Sequence, residues 1–193
     1  SGMGLVKVTN RGGLDGSSVS DPAISPAGDR IAFVQRAVVP APVPAIMVID
    51  ADGGDEAELV ADAADPAFSP DGSRIAFIRG GHLFTVGVDG TDLTQLTSGV
   101  GVTRRSPAFS PSGQEIVFAQ APVTPEPAWS IATIAVATGA TTPIVSDGEQ
   151  PVFRPDGASI AFVRAGVVFA IRLATGEVTK LTDGPADGHP TWQ

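Results

Sequence analysis

The chain has 193 residues, enough for one domain or two small ones, and its 42% apolar and 17% charged residues are typical of a protein with a hydrophobic core. The formal net charge of −9 argues against binding to the nucleic-acid backbone, which requires a basic surface. It favours a basic partner or a cation, or serves only to keep the domain soluble. The absence of cysteine excludes disulfide bonds, thiol nucleophiles and cysteine-ligated zinc.

The first predicted element is a strand at residues 5–9, which has the pattern of an outer fourth strand without the rest of its sheet. No leader sequence is recognisable, and Ser1-Gly2 is typical of the remnant of a removed tag, so we expect any native leader to precede this sequence. The apolar stretch at 37–49 is too short and too often interrupted by proline for membrane insertion.

Four segments of the chain repeat one another, at residues 21–33, 65–77, 106–118 and 150–162, and a fifth begins at 189. Their first prolines recur at a nearly constant interval, and they are Pro22, Pro66, Pro107, Pro151 and Pro190. A period of about 40 residues with strand-like segments is typical of β-propeller blades.

Each repeat unit predicts one four-stranded antiparallel meander. Pro-Ala-Phe-Ser is a short strand with a buried aromatic side chain, and Pro-Asp-Gly is a turn in which glycine takes a positive φ. Ile-Ala-Phe is a wholly apolar second strand, as expected between neighbouring sheets. A third strand (83–89 in the second repeat), an Asp-Gly or Thr-Gly hairpin and a fourth strand ending in Leu-Thr complete the unit.

These residues resemble the TolB-like, WD-repeat-like β-propeller family, whose repeat centres on Pro-x-aromatic-Ser-Pro-Asp-Gly followed by Ile-Ala-Phe and Leu-Thr. Ala27 and Ser112 depart from this pattern at the turn aspartate, and Ile24 departs from it at the aromatic position. The resemblance implies an all-β fold of propeller blades and an exported protein, located in the periplasm or outside the cell. The family includes periplasmic partner-binding proteins, and similar blades form the gating propeller of some serine peptidases.

We therefore expect a single propeller, or a fragment of one, over 1–193. It has four complete blades at about 21–62, 65–98, 106–146 and 150–183, and partial strands at 5–9 and 190–193. The partial strands supply only the first and last strands of a fifth blade, which disfavours a closed five-bladed monomer. A fragment of a longer propeller and a ring completed between chains both remain open, and a homodimer with eight blades is favoured.

Blades one and three carry proline-rich links at 36–45 and 120–128, whereas blades two and four have tight links at 80–82 and 165–166. Equivalent prolines two blades apart also have one separation, since the interval from Pro22 to Pro107 is the same as the interval from Pro66 to Pro151. From both observations we infer a two-blade repeating unit. The alternative explanation is chance variation in loop length.

Alternate turns of a meander lie on opposite faces. The face that carries the links into each first strand and the proline-rich links is here named the loop face, and the opposite one the turn face. Function tends to lie on long loops of a rigid scaffold, so the loop face is the predicted binding surface. Its candidate residues, around the channel mouth, are Asp21, Asp65, Arg104, Arg105, Trp129, Asp187 and His189.

Several of these residues have two interpretations. Trp129 either anchors a partner or packs over its own blade. Asp21, Asp65 and Asp187 either form an acidic ring that holds a cation or a basic side chain, or cap turns through their own backbone. The acidic segment 50–55 has some features of a calcium loop but lacks the glutamate at its twelfth position, and it coincides with a hairpin.

The sequence shows no catalytic constellation: it lacks a Gly-x-Ser-x-Gly elbow, a phosphate loop and a dinucleotide fingerprint. No catalytic residue, metal site or cofactor is therefore assigned. We expect a non-enzymatic scaffold that binds a protein or peptide and not nucleic acid. The alternative is an accessory or gating domain of a larger enzyme such as a serine peptidase. A carbohydrate or small-ligand binder is less favoured, because only Trp129 and Trp192 offer exposed-aromatic candidates.

Overall fold

The computed structural model describes residues 17–36, 43–126, 128–183 and 190, and these contain strands and turns but no helix. Sixteen strands form four four-stranded antiparallel sheets, each with its strands in chain order. This confirms the all-β class and the blade-like meander. The predicted strands at 5–9 and, apart from Pro190, at 190–193 lie outside the described residues.

The strands of the first two blades are β1 (Ser18–Ile24), β2 (Arg30–Arg36), β3 (Pro44–Asp50) and β4 (Ala57–Ala61), followed by β5 (Ala64–Phe68), β6 (Arg74–Arg79), β7 (His82–Gly87) and β8 (Thr94–Gln95). The strands of the last two are β9 (Val102–Phe109), β10 (Glu115–Pro122), β11 (Ser130–Ala135) and β12 (Thr141–Val145), followed by β13 (Glu149–Phe153), β14 (Ser159–Arg164), β15 (Val167–Arg172) and β16 (Val178–Lys180).

The second strand of each blade is buried on both faces, as its apolar sequence predicts. In blade 2, Ile75 and Phe77 pack against blade 1, whereas Ala76 and Ile78 pack against blade 3. Blade 4 repeats the arrangement, with Phe162 in the core that it shares with blade 3. Successive blades therefore meet through a face of large side chains and a face of smaller ones.

Ile24 departs from the prediction that the first strand buries its large side chain, because its side chain is 68% exposed. The equivalent phenylalanines, Phe68, Phe109 and Phe153, each pack into the core shared with the preceding blade. Blade 1 has no preceding blade among the described residues, so Ile24 has no such core to join.

Each Ser-Pro-x-Gly turn is closed by its serine. In blade 2 the Ser69 backbone N–H donates to the Arg74 carbonyl (2.9 Å), and the Arg74 N–H donates back to Ser69 Oγ (3.0 Å). Gly72 has a φ of 70°, in the left-handed region that glycine adopts at little cost. Asp71 accepts hydrogen bonds from Ser69 Oγ and from the N–H and Oγ of Ser73, and these bonds lower its pKa to about 2.

The fourth strands are shorter than the Leu-Thr motif predicts, because β8 and β16 end before it. The reason is that the threonine hydroxyl takes the place of a backbone acceptor in the pairing of the third and fourth strands. Thr97 Oγ1 accepts the Leu83 N–H (2.9 Å), and Thr182 Oγ1 accepts the Val168 N–H (3.1 Å).

Thr97→Val should lower the free energy of unfolding by about 1–3 kcal/mol, because valine has the same shape but leaves the buried Leu83 N–H unpaired. Thr179→Val, in the exposed strand β16, is the matched control and should change stability by less than about 0.5 kcal/mol. Urea unfolding of both variants measures the difference, and equal values would contradict the assigned role.

Candidate functional site

The inner edge of the arc is built from one position per blade, the residue before the first proline of each repeat. These residues have φ between 50° and 54°, and they are Asp21, Asp65, Ser106 and Gln150. A β-bulge interrupts the pairing of first and second strands at this point in every blade. The bulge gives the inner edge the same backbone in all four blades.

Asp65 links two blades at this edge. Its Oδ2 accepts the backbone N–H of Ser106, the equivalent residue of blade 3, at 2.9 Å. Burial raises the pKa of the Asp65 carboxyl, and the nearby charge of Asp21 acts in the same direction. The Ser106 N–H and the positive charges of Arg105 and Arg36 oppose this shift without cancelling it.

The mouth carries positive as well as negative charge. Arg36 Nη1 donates to Ser20 Oγ (2.9 Å), and this hydroxyl donates to Asp21 Oδ2 (2.9 Å). Asp21 lies near enough to Asp65 for its charge to act on that carboxyl, and the charges of two arginines, Arg105 and Arg36, act on it as well. Asp187, the third member of the expected acidic ring, and His189 lie outside the described residues.

Trp129 on the loop face is held by Arg105, which is itself paired with Glu149. The Arg105 guanidinium stacks on the indole with its Cζ 3.6 Å from the ring centroid. Arg105 also forms a close ion pair with Glu149 of blade 4 through Nη2 and Oε2. Trp129 is half-buried: it is neither fully packed into its blade nor fully exposed, and part of its surface remains accessible to solvent.

A cavity of about 290 Å³, here named the blade 3–4 cavity, lies beside this stack. It is lined by Ala128, Trp129, Ser146, Asp147, Gly148, Glu149, Val163, Arg164 and Ala165.

Arg164 forms one wall of the blade 3–4 cavity and is fixed from two sides. Its Nη2 pairs with Asp147 Oδ1 (2.7 Å), and its Nε donates to the Asp147 carbonyl (3.1 Å). Its guanidinium also lies about 5 Å above the rings of Phe162 and Phe169. Gly148 is required nearby, because a Cβ there would lie 2.7 Å from Ile131 Cδ1.

Arg104 points elsewhere and joins blades 2 and 3. Its Nη1 donates to the Gly81 carbonyl (3.2 Å) and lies 3.3 Å from His82 Nδ1. Burial lowers the pKa of Arg104. The structure thus separates Arg104 from the cluster of its neighbour Arg105.

Sequence analysis did not select Glu149, Arg36, Asp147 or Arg164 as site residues. One signal was available: the interval from Arg79 to Arg164 equals that between equivalent prolines two blades apart, so the two arginines occupy the same position of the two-blade unit. Arg79 likewise lies over two phenylalanine rings, Phe77 and Phe84.

The acidic segment 50–55 forms a hairpin, in which Asp52 Oδ1 accepts the Gly54 N–H (2.9 Å). Within the described ranges no group of three or more His, Cys, Asp or Glu side chains is arranged to hold a metal ion. None of the described segments is a helix long and apolar enough to cross a membrane.

Solved structures share this fold. TolB from Acinetobacter baumannii is 22% identical with a TM-score of 0.68, over 86% of this chain and 44% of its own. A putative TolB from Agrobacterium tumefaciens is also 22% identical with a TM-score of 0.70, over 83% of this chain and 63% of its own. A puromycin-hydrolyzing peptidase of Mycobacterium tuberculosis is 16% identical with a TM-score of 0.68, over 86% of this chain and 29% of its own. This chain therefore spans about half the length of the two TolB chains. No curated protein sequence matches it significantly.

Four meander sheets that pack face to face, with their first strands at a common inner edge, define a β-propeller protein. Residues 15–193 match the TolB beta propeller domain family. The chain belongs to this family.

Asp65→Asn should raise the free energy of unfolding at neutral pH, because it removes a buried charge and keeps an oxygen that accepts the Ser106 N–H. Since the folded-state pKa of Asp65 is raised, the wild type loses stability as pH rises from the ordinary value of 3.8 through the folded-state pKa. The stability advantage of Asp65→Asn should therefore grow over that interval.

Urea unfolding at a series of pH values measures this advantage. Asp65→Ala is the control: it removes the acceptor as well and should be less stable than Asp65→Asn at every pH. An advantage of Asp65→Asn that is constant with pH would contradict the assigned environment of Asp65.

Proposed function

We propose that the loop face is a non-enzymatic binding surface for a protein or peptide. The observation that carries this proposal is the preset Trp129, stacked on Arg105, tied through it to Glu149 and bordered by the blade 3–4 cavity. A rigid aromatic side chain loses little entropy on binding, and aromatic residues with arginine dominate the energetics of protein interfaces. Membership of the TolB propeller family is consistent with such a role.

Trp129→Ala should weaken binding by about 2 kcal/mol or more if this surface anchors the ligand. The measurement begins with selection of binders from a random peptide library on the immobilised protein, followed by calorimetric titration of the enriched peptides against wild type and variant. Val178→Ala truncates an exposed apolar side chain on the outer strand β16 and should leave affinity unchanged. Enriched peptides that bind the Trp129→Ala variant as well as wild type would refute the proposed surface.

We also propose that two chains associate to complete an eight-bladed ring. Among the described strands, each blade contacts the next, but no strand of blade 4 contacts a strand of blade 1. The described arc is therefore open, and sheet edges and end faces of this kind favour association.

Light scattering behind a sizing column, over a wide range of protein concentration, tests the assembly. The expected result is a constant mass twice the 19.5 kDa of one chain. A constant single-chain mass would overturn the intersubunit ring.

The second candidate is an accessory or gating domain of a larger enzyme. The observation that favours it is the structural similarity to the Mycobacterium tuberculosis peptidase, of which the matching part is 29%. A downstream α/β-hydrolase segment in the full reading frame would support this role and contradict the scaffold.

Family membership further supports a periplasmic or extracellular location, and cell fractionation that finds the protein in the cytoplasm would refute it.

A further inference from the structure

The residues around the blade 3–4 cavity can be compared with the equivalent residues of blades 1 and 2. The shift that carries Pro22 onto Pro107 places blades 1 and 2 on blades 3 and 4, and it matches Arg79 with Arg164 and Asp62 with Asp147. Both arginines lie over a pair of stacked phenylalanine rings, and both donate a hydrogen bond to a backbone carbonyl that precedes the first strand of their blade. The arginine on its aromatic pair is therefore part of the scaffold and not a mark of function.

Among the lining residues that differ between the equivalent positions, two change the aromatic surface and the charge of the cavity. Trp129 corresponds to Pro44, and Glu149 corresponds to Ala64. The residue that stacks on the indole, Arg105, corresponds to Ser20. The cavity between blades 3 and 4 thus has an aromatic wall and a carboxylate, and Arg105 beside it contacts both, whereas the three equivalent positions of blades 1 and 2 carry small or uncharged side chains.

In both ion pairs at the blade 3–4 cavity the carboxylate is the more exposed partner. The Asp147 and Glu149 side chains are 62% and 42% exposed, whereas those of their partners Arg164 and Arg105 are 30% and 36% exposed. Each of the two ion pairs uses one oxygen of its carboxylate, Oδ1 of Asp147 and Oε2 of Glu149. The second oxygen of each can accept a hydrogen bond from a ligand.

Trp129 lines the cavity, whereas Arg105, which stacks on the indole, does not. A ligand in the cavity therefore meets a part of the indole that Arg105 does not cover. An aromatic wall beside two accessible carboxylates suits a group with an apolar stem and a cationic head. The net charge of −9 attracts the same class of ligand.

From this geometry we propose that the blade 3–4 cavity binds an arginine or lysine side chain presented by the partner. The stem of that side chain lies along Trp129, and its head donates to Asp147 and Glu149. This assignment rests on the proposed binding function of the loop face and names the residue type that the face selects.

Fluorescence of Trp129 tests the proposal directly, because the chain has two tryptophans and no tyrosine, and Trp192→Phe leaves Trp129 as the single reporter. The probes are the acetylated amides of arginine, lysine, norleucine and glutamate. The arginine and lysine probes should cause a saturable change that weakens with added salt, and the norleucine and glutamate probes should bind at least about tenfold more weakly. Equal response to norleucine, or no saturable response to arginine and lysine, would overturn the proposal.

Paired variants locate the effect. The double variant Asp147→Asn, Glu149→Gln keeps both side-chain shapes and should lose the preference for the basic probes. Glu58→Gln removes one negative charge from the exposed edge of β4, outside the blade 3–4 cavity, and should retain the preference. A preference that survives in the double variant, or that Glu58→Gln also removes, would contradict the cavity as its source. The comparison of the four probes uses protein in which Asp147 and Glu149 are intact, so it remains a valid test even if the double variant folds poorly.

The outcome separates this inference from the wider function. If the library peptides require Trp129 but contain no basic residue, and the arginine probe fails to bind, the proposed binding surface stands and the proposed basic ligand is refuted. Failure of both the library selection and the probes would refute both the binding surface and the basic ligand.

Discussion

The packing of one apolar strand between two neighbouring sheets is the constraint on which the rest of the molecule depends. In the second strand of blade 2, Phe77 enters the core shared with blade 1 while Ala76 meets blade 3. The links between strands are then carried to fixed places at the two faces, whatever their sequence.

The site depends on the same seams. Arg164 lies on two phenylalanine rings of blade 4 and holds Asp147, while Arg105 of blade 3 reaches Glu149 of blade 4. A change in how the two blades pack would separate these pairs. The proposed binding surface therefore rests on the packed core beneath it, which would limit the entropy lost on binding a partner.

The sequence predicts those parts of the structure that repeat. The apolar second strands, the positive φ of Gly72 and the meander order all follow from local pattern, and the structure agrees with them. Arg105 and Glu149 belong to different blades, and no local pattern marks their pairing. Arg164 has the appearance of an ordinary polar strand end, since its stacking partners are visible only once β14 and β15 are paired. The exposure of Ile24 likewise depends on which blade precedes it.

The left-handed bulge before each first proline has a further consequence for how such a protein can change. At this point the backbone has the same left-handed conformation in all four blades, and it tolerates Asp, Asp, Ser and Gln at its four occurrences. The chemistry of the rim is thus uncoupled from its shape. A lineage built on this repeat can exchange acid, hydroxyl and amide groups around the opening, one blade at a time, and so acquire new ligands without altering its fold.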